Sequence, residues 1–409
     1  VTTAQELGFS WSNRDQVKAD LEEYTSGNVI RRYFKKKDLE KTPQKVDIRI
    51  KLDGSRVAEF VQNQCEPLVQ EAVDATIHRE NGTFVITPSQ TGLTVDQNAT
   101  IKTLNEALAQ GLEEPVMIDA AVTVSEPKVT EEMLGTIQDV LGTCSTSFSS
   151  SGAARSKNLK VGSGKINGTV LLPGETLSGY GAMAPFTLEN GYASAGAYEN
   201  GRVVDSVGGG VCQIATTLYD ASLYAELEIT QRQNHSMSVS YVKPSMDAAI
   251  AGTYKDIKVT NPYDTPIYIE AGTSGKTLTF TIYGKETRPA NRTIQYVSET
   301  LSVTDPGETV VQDASLAPGA RVRVQAGHKG IRSRLWKCVY IDGVEQEKTL
   351  LYTDTYNASK AIYHVGPAAP APAPAETTTP ETTQVEPTPD QGPKGPGEIG
   401  PDSQNPAAG

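Results

Sequence analysis

Two hydrophobic periods run through the chain, and the changes between them mark its elements. Residues 46–52 (VDIRIKL) alternate apolar and charged positions and predict a half-buried strand. Over 56–69, Val57, Phe60, Val61 and Leu68 fall near helical spacing, and over 95–112 Ile101, Leu104, Leu108 and Leu112 share one helix face. ATIHRE and TFVITP flank Asn81-Gly82, a pair suited to a two-residue hairpin turn. The charged stretch 22–39 reads as helix and loop, and 115–129 returns to strand alternation. Together these predict an α+β module over 15–135, with residues 1–14 as the end of a truncated segment.

Residues 142–162 are rich in Ser, Gly and Ala and read as a linker or entry segment. A second domain follows over 145–288. GTVLLPGETLS (168–178) predicts a strand broken by a Pro-Gly turn, and 211–226 a helix with a buried stripe of Ile214, Leu218, Ala221 and Ala225. Strand alternation recurs at 238–242, 257–259, 267–271 and 278–283. A third, β-rich unit occupies 290–366, with strands expected at 309–311, 321–325, 333–341 and 347–352. From Pro367 to residue 409 the chain is Pro, Ala, Thr, Glu and Gly without periodicity, which predicts disorder.

Composition narrows the partners. The 409 residues carry 37 Lys+Arg against 49 Asp+Glu, a net charge of −12. That balance argues against nucleic acid or an anionic membrane as main partner, because both are bound by cationic side chains. No apolar run approaches the roughly eighteen residues of a membrane-spanning helix. The first residue is Val, so the expectation is a processed product, extracellular at the cell surface, whose membrane anchor lies outside this sequence. Cys65, Cys144, Cys212 and Cys338 lie far apart, without zinc spacing, and nothing calls for a metal or an organic cofactor. Three of them read as small buried hydrophobes, although an even count allows a disulfide.

Cys212 is different. Gly208-Gly209-Gly210-Val211-Cys212-Gln213 puts a thiol at the start of a predicted helix, where the macrodipole favours thiolate. Gly209, Gly210 and Gln213 are placed to aim backbone N–H groups at a developing oxyanion. His235, followed by Ser236, is the only histidine of this domain and the natural proton carrier. Arg232 is suited to gripping a carboxylate, and Tyr241 and Asp247 to orienting His235 or touching substrate. The pattern describes cysteine acyl transfer; a helix cysteine packed under a glycine turn is the bland alternative.

INGTVLLPGETLSGY, the block from Glu189 to Ile250 containing GGGVCQ, RQNHS and YVKPSMDAA, and DIKVTNPYDTPIYIEA together resemble the VanW domain across about 145–285. Ala215, Asp220 and Ser245 depart from its usual serine, asparagine and glycine. ITPSQTGLTVD and its surroundings are similar to the wall-binding domain found beside YkuD-type L,D-transpeptidases. LAPGARVRVQAGHKGIRSRLWKCVYIDGVEQEKTLL with His364-Val365-Gly366 resembles the G-five module of wall-associated proteins. These resemblances imply a multidomain α+β protein: a peptidoglycan-binding-like domain, a mixed α/β VanW domain and a small extended β module. They imply further that stem peptides of peptidoglycan, and its glycan, are the partners. The VanW family, named from glycopeptide-resistance clusters, is associated with L,D-transpeptidation, in which a cysteine thioester releases terminal D-alanine and forms 3–3 cross-links. A non-catalytic wall-binding protein and a cysteine carboxypeptidase or amidase are the alternatives.

Overall fold

The structure, a computed structural model, describes residues 1–109, 115–199 and 202–368. The tail expected to be disordered lies, from residue 369 onward, outside the described residues, as does the end of the helix expected to reach Leu112. The chain divides into two compact units, one of residues 1–309 and 323–362, the other of 310–322 and 363 onward.

In the first unit, the N-terminal module folds around Leu7, Val57, Val61, Cys65, Val95 and Leu104. Leu7, 5% exposed, ties the stretch 1–14 to this core. The helix Gly54–Cys65 starts at Asp53, whose carboxylate accepts from the N–H groups of Ser55 and Arg56. The charged stretch forms two helices, Arg14–Thr25 and Val29–Lys41. Of the strand expected at 46–52, only Ile50–Lys51 pairs, with Ser10–Trp11. The hairpin Thr76–Glu80 and Thr83–Thr87 turns through Asn81 and Gly82, both at positive φ. It docks on the next domain: Ala75 and Ile77 pack with Leu134, Ile137, Tyr268 and Tyr283, and Arg79 forks onto Glu270 at 3.1 and 2.9 Å.

The central domain is built on an antiparallel sheet in the order Asp139–Ser147, Thr277–Gly284, Ile267–Ser274, Thr169–Leu171. Its first strand and the helix Ala153–Ile166 occupy the stretch read as a linker. Small residues there serve close packing: a Cβ on Gly142 would lie 2.2 Å from Ala225 N, and one on Gly162 2.5 Å from Ile214 Cδ1. The helix Val211–Tyr224 buries every residue from Gln213 to Leu223, polar ones included, instead of a single stripe. Three of its hydroxyls are satisfied by backbone: Thr217 donates to the Gln213 carbonyl and Ser222 to that of Leu218 within the helix, and Thr216 to that of Ala248 across the core. The strand expected at 238–242 is absent, and Ser238, Val239, Ser240 and Tyr241 instead form a loop along a cavity wall.

A 13-residue strand, Arg292–Thr304, begins a further antiparallel sheet with Gly330–Ile341 and Val344–Tyr356. Leu335 is buried in the central core, with Tyr296, Leu351 and Tyr352 packed against it. The stretch 290–366, expected as one β unit, is thus divided, and 323–362 fold with the central domain. In the second unit His364 Nδ1 meets Asp313 Oδ2 at 2.9 Å, and Arg321 lies over the Tyr363 ring.

Candidate active site

The hairpin Ser194–Glu199 and Arg202–Val207 delivers the chain into the glycine turn, and the turn starts the helix. A Cβ on Gly209 would lie 2.4 Å from the Ala195 carbonyl oxygen, and Gly210 caps the helix at φ +114°. Both positions therefore demand glycine. Asn158, fully buried, holds the turn: its Nδ2 donates to the carbonyls of Gly209 and Ala193 at 2.9 Å, and its Oδ1 accepts from Ala193 N–H.

Cys212 is the second residue of the helix, and its half-buried thiol opens into a cavity of about 380 Å³ that His235 also lines. Sγ accepts from the Ile250 N–H at 3.5 Å and lies 3.6 Å from the Ile250 carbonyl. His235 Nδ1 sits 2.5 Å from Asp247 Oδ2, and the same oxygen accepts the His235 backbone N–H at 2.7 Å. Nε2 is left for the thiol. Burial pushes the Cys212 thiol up, but the hydrogen bond and charge of His235 outweigh it and hold the thiol below its ordinary value. Burial disfavours imidazolium, yet the Asp247 and Cys212 contacts raise His235 to about 9. Burial likewise opposes the Asp247 carboxylate, and His235 and Arg232 bring it below its ordinary value. The His235 imidazolium, backed by the Asp247 carboxylate, thus favours the thiolate form of Cys212. Cys144 is the contrast: burial and the Asp220 charge push it up to about 12. All four cysteines are free.

The expected site residues separate into three groups. Cys212, His235, Gly209, Gly210, Gln213 and Tyr241 line the cavity. The Gly209 N–H is bonded to the Ser206 carbonyl and the Gln213 N–H to that of Gly210, so neither is aimed at substrate. Gln213 is instead a strut, its amide donating to Thr146 Oγ1 and the Ser147 carbonyl. Among the described residues the N–H groups of Gly210 and Cys212 have no backbone acceptor outside the helix, and they are the donors left for an oxyanion. The Tyr241 hydroxyl bonds Thr216; burial and the Cys212 charge raise its pKa.

Arg232 and Asp247 lie behind the cavity, their side chains 2% and 1% exposed. Arg232 forks onto Asp354 at 2.9 and 2.8 Å, and bonds the Asp247 carbonyl at 2.7 Å, its carboxylate at 3.2 Å and the Ser245 carbonyl at 3.3 Å. Its five donors are all engaged, and its guanidinium lies between the rings of Tyr219 and Tyr352. The expected grip on a substrate carboxylate is corrected: Arg232 anchors Asp247, and Asp247 orients His235. Ser236 is also corrected. Its side chain is exposed outside the cavity, and its carbonyl accepts from Asn357 N–H.

Several participants carry no local motif. Tyr356, 2% exposed, donates its hydroxyl to Asp247 Oδ1 and accepts from the Ser245 N–H. Ser245 adopts φ +67°, the left-handed backbone that favours glycine, and its hydroxyl meets Ser333 Oγ at 2.7 Å. Arg155, on the helix Ala153–Ile166, is the cation besides His235 on the cavity lining. Nothing in the spacing of Asp354 and Tyr356, more than a hundred residues from Arg232 and Asp247, marks them as neighbours.

Three family models match successive stretches of the chain. A "VanW like protein" model matches residues 154–283, a "Putative peptidoglycan binding domain" model residues 1–117, and a "G5 domain" model residues 296–368. The uncharacterized protein YoaR of Bacillus subtilis is 31% identical over 237 residues, 58% of this chain and 76% of YoaR. The vancomycin B-type resistance protein VanW of Enterococcus faecalis is 25% identical over 173 residues, 40% of this chain and 62% of that protein. An IgA1 protease G5 domain structure shares 22% identity over 19% of this chain and 94% of its own, with a TM-score of 0.14. The Cys212 turn and His235 both fall inside the first matched segment, flanked by wall-associated modules, and the chain belongs to the VanW-like family of cell-wall-associated proteins.

Proposed function

We propose that the protein is a cysteine-dependent L,D-transpeptidase of peptidoglycan, forming 3–3 cross-links outside the cell. The observation that carries this reading is the Cys212–His235–Asp247 relay opening into a cavity at a helix N-terminus. In the first step the Cys212 thiolate attacks the carbonyl of the third stem residue, a diamino acid. A C–S bond forms, and the oxyanion is held by the Gly210 and Cys212 N–H groups. Collapse breaks the C–N bond, and the His235 imidazolium gives its proton to the nitrogen of the departing D-alanine. In the second step a side-chain amine from another stem attacks the thioester. An N–C bond forms, the C–S bond breaks with its electron pair on sulfur, and His235 takes the amine's proton. The resting ion pair is restored.

Incubation of the full chain with disaccharide-tetrapeptide is expected to give a cross-linked dimer and free D-alanine, and Cys212→Ala neither. Full activity in Cys212→Ala, or no acyl-enzyme mass shift in the wild type, would overturn the assignment. Tripeptide without dimer marks a hydrolase instead.

A further inference from the structure

The chain-wide charge of −12 conceals a local reversal in the N-terminal module. Residues 29–51 carry nine Lys and Arg against three Asp and Glu, a net +6, so the remaining residues carry −18. Within that stretch the helix Val29–Lys41 buries no residue, and its two sides differ. Lys35 and Leu39 are half-buried on the side of the helix Arg14–Thr25, with the Lys35 ammonium 5.7 Å from the centre of the Tyr24 ring. The opposite side leaves Val29, Ile30, Tyr33 and Phe34 between 58% and 72% exposed. Four large apolar side chains so open within two turns form a patch, which a lone surface Leu or Val does not. Lys37 and Lys41 continue the face of Tyr33 at four-residue spacing, and Arg32 and Lys36 flank it. A cavity of about 440 Å³ between the helices extends the apolar surface through Leu21, Tyr24, Leu39 and Val46, beside Arg32 and Lys36, with Asp20 as the acid on its lining.

We infer that this face docks on a lipid bilayer whose surface carries anionic phospholipids. The helix lies along the surface, its four exposed apolar side chains enter the boundary between headgroups and acyl chains, and its Lys and Arg side chains meet phosphates. Tyr33 suits that boundary, because its ring is apolar and its hydroxyl polar. Long cationic side chains beside the stripe reach back to the headgroups while their methylene stems stay against the acyl chains. A phosphate- or carboxylate-bearing polymer would use the cations alone and leave Val29, Ile30 and Phe34 in water. The acidic remainder of the chain is repelled by the same surface, so the contact is local and sensitive to salt. The inference is independent of the chemistry assigned to Cys212.

The test uses the full chain and vesicles of phosphatidylglycerol and phosphatidylcholine in equal parts, with phosphatidylcholine alone as the neutral surface. Affinity for the mixed vesicles, read by cosedimentation, is expected to exceed that for neutral ones at least about tenfold and to weaken as salt is raised. One variant combines Ile30→Ser with Phe34→Ser; another combines Arg32→Gln, Lys36→Gln, Lys37→Gln and Lys41→Gln. All six side chains are exposed, so circular dichroism should match the wild type. Each variant is expected to lose at least about tenfold in affinity for the mixed vesicles. Equal binding to both vesicles, or binding to neither, would overturn the inference. Full retention by the serine variant with loss by the glutamine variant would assign the face to a soluble polyanion and overturn the bilayer. Phe34→Trp gives an independent reading against a wild type whose two tryptophans are Trp11 and Trp336. Its added emission should shift to shorter wavelength on mixed vesicles, and an unshifted emission would place this face outside the bilayer.

Discussion

At the residue scale, two thiols on neighbouring elements of one domain are driven in opposite directions. Cys144 meets the buried Asp220 and is pushed up to about 12, whereas Cys212 gains His235, the Ile250 N–H and the helix N-terminus. Iodoacetamide at neutral pH is therefore expected to alkylate Cys212 first and Cys144 hardly at all, as peptide mass mapping would read; equal labelling would contradict the ion pair. The pH profile of kcat/KM should rise through the lowered thiol pKa and fall as His235 loses its proton near pH 9. Asp247→Asn should remove the carboxylate that raises His235 and move the alkaline limb to lower pH. The glycine turn and the placing of Cys212 and His235 on one cavity were legible because the residues lie close together in sequence. The role of Arg232 was not, since an arginine beside a catalytic histidine is equally suited to substrate or scaffold. Only burial and five engaged donors decide between these.

Elements explain why that ion pair keeps its geometry. The strand Val344–Tyr356 contributes Asp354 to Arg232 and Tyr356 to Asp247, so the sheet after the central domain forms the back wall of the site. Tyr356→Phe removes one hydrogen bond to a charged group, worth about 1.5 kcal/mol, and is expected to lower kcat roughly tenfold and shift the alkaline limb, with the fold retained by circular dichroism. A second clamp lies at the far end of the site helix. Glu226 meets Arg292 at 2.6 and 2.9 Å, Arg288 at 3.4 Å, and Lys337. Burial opposes its charge, but Arg292 and Lys337 bring it to about 2, below its unfolded value. Its contribution to stability is thus complete above the unfolded carboxylate value near 4.5 and is lost as pH falls through about 2. Urea titrations of Glu226→Gln should show a deficit of order 2–3 kcal/mol at pH 7 that shrinks toward pH 3. The alternating strands 267–271 and 278–283 and the Asn-Gly hairpin were readable from period and turn chemistry. The strand Asp139–Ser147 and the helix Ala153–Ile166 were not, because small residues chosen for tight packing look like a linker.

For the whole molecule, an acidic chain holds its candidate site in a cavity with no acid among the described lining residues, beside modules of wall-associated families. Binding and turnover should separate: Cys212→Ala is expected to cosediment with insoluble peptidoglycan as the wild type does while releasing no D-alanine, and loss of cosedimentation would tie retention to the thiol. The domain series was legible from its blocks. That a strand beyond residue 290 supplies partners to Arg232 and Asp247 was not, because this pairing exists only in three dimensions. The bond from Tyr356 to Asp247 makes the ionisation of the thiol and the docking of that strand two sides of one equilibrium. Reciprocity then requires that whatever stabilises the docked strand strengthens the nucleophile, and that protonating the relay loosens the strand by the same free energy.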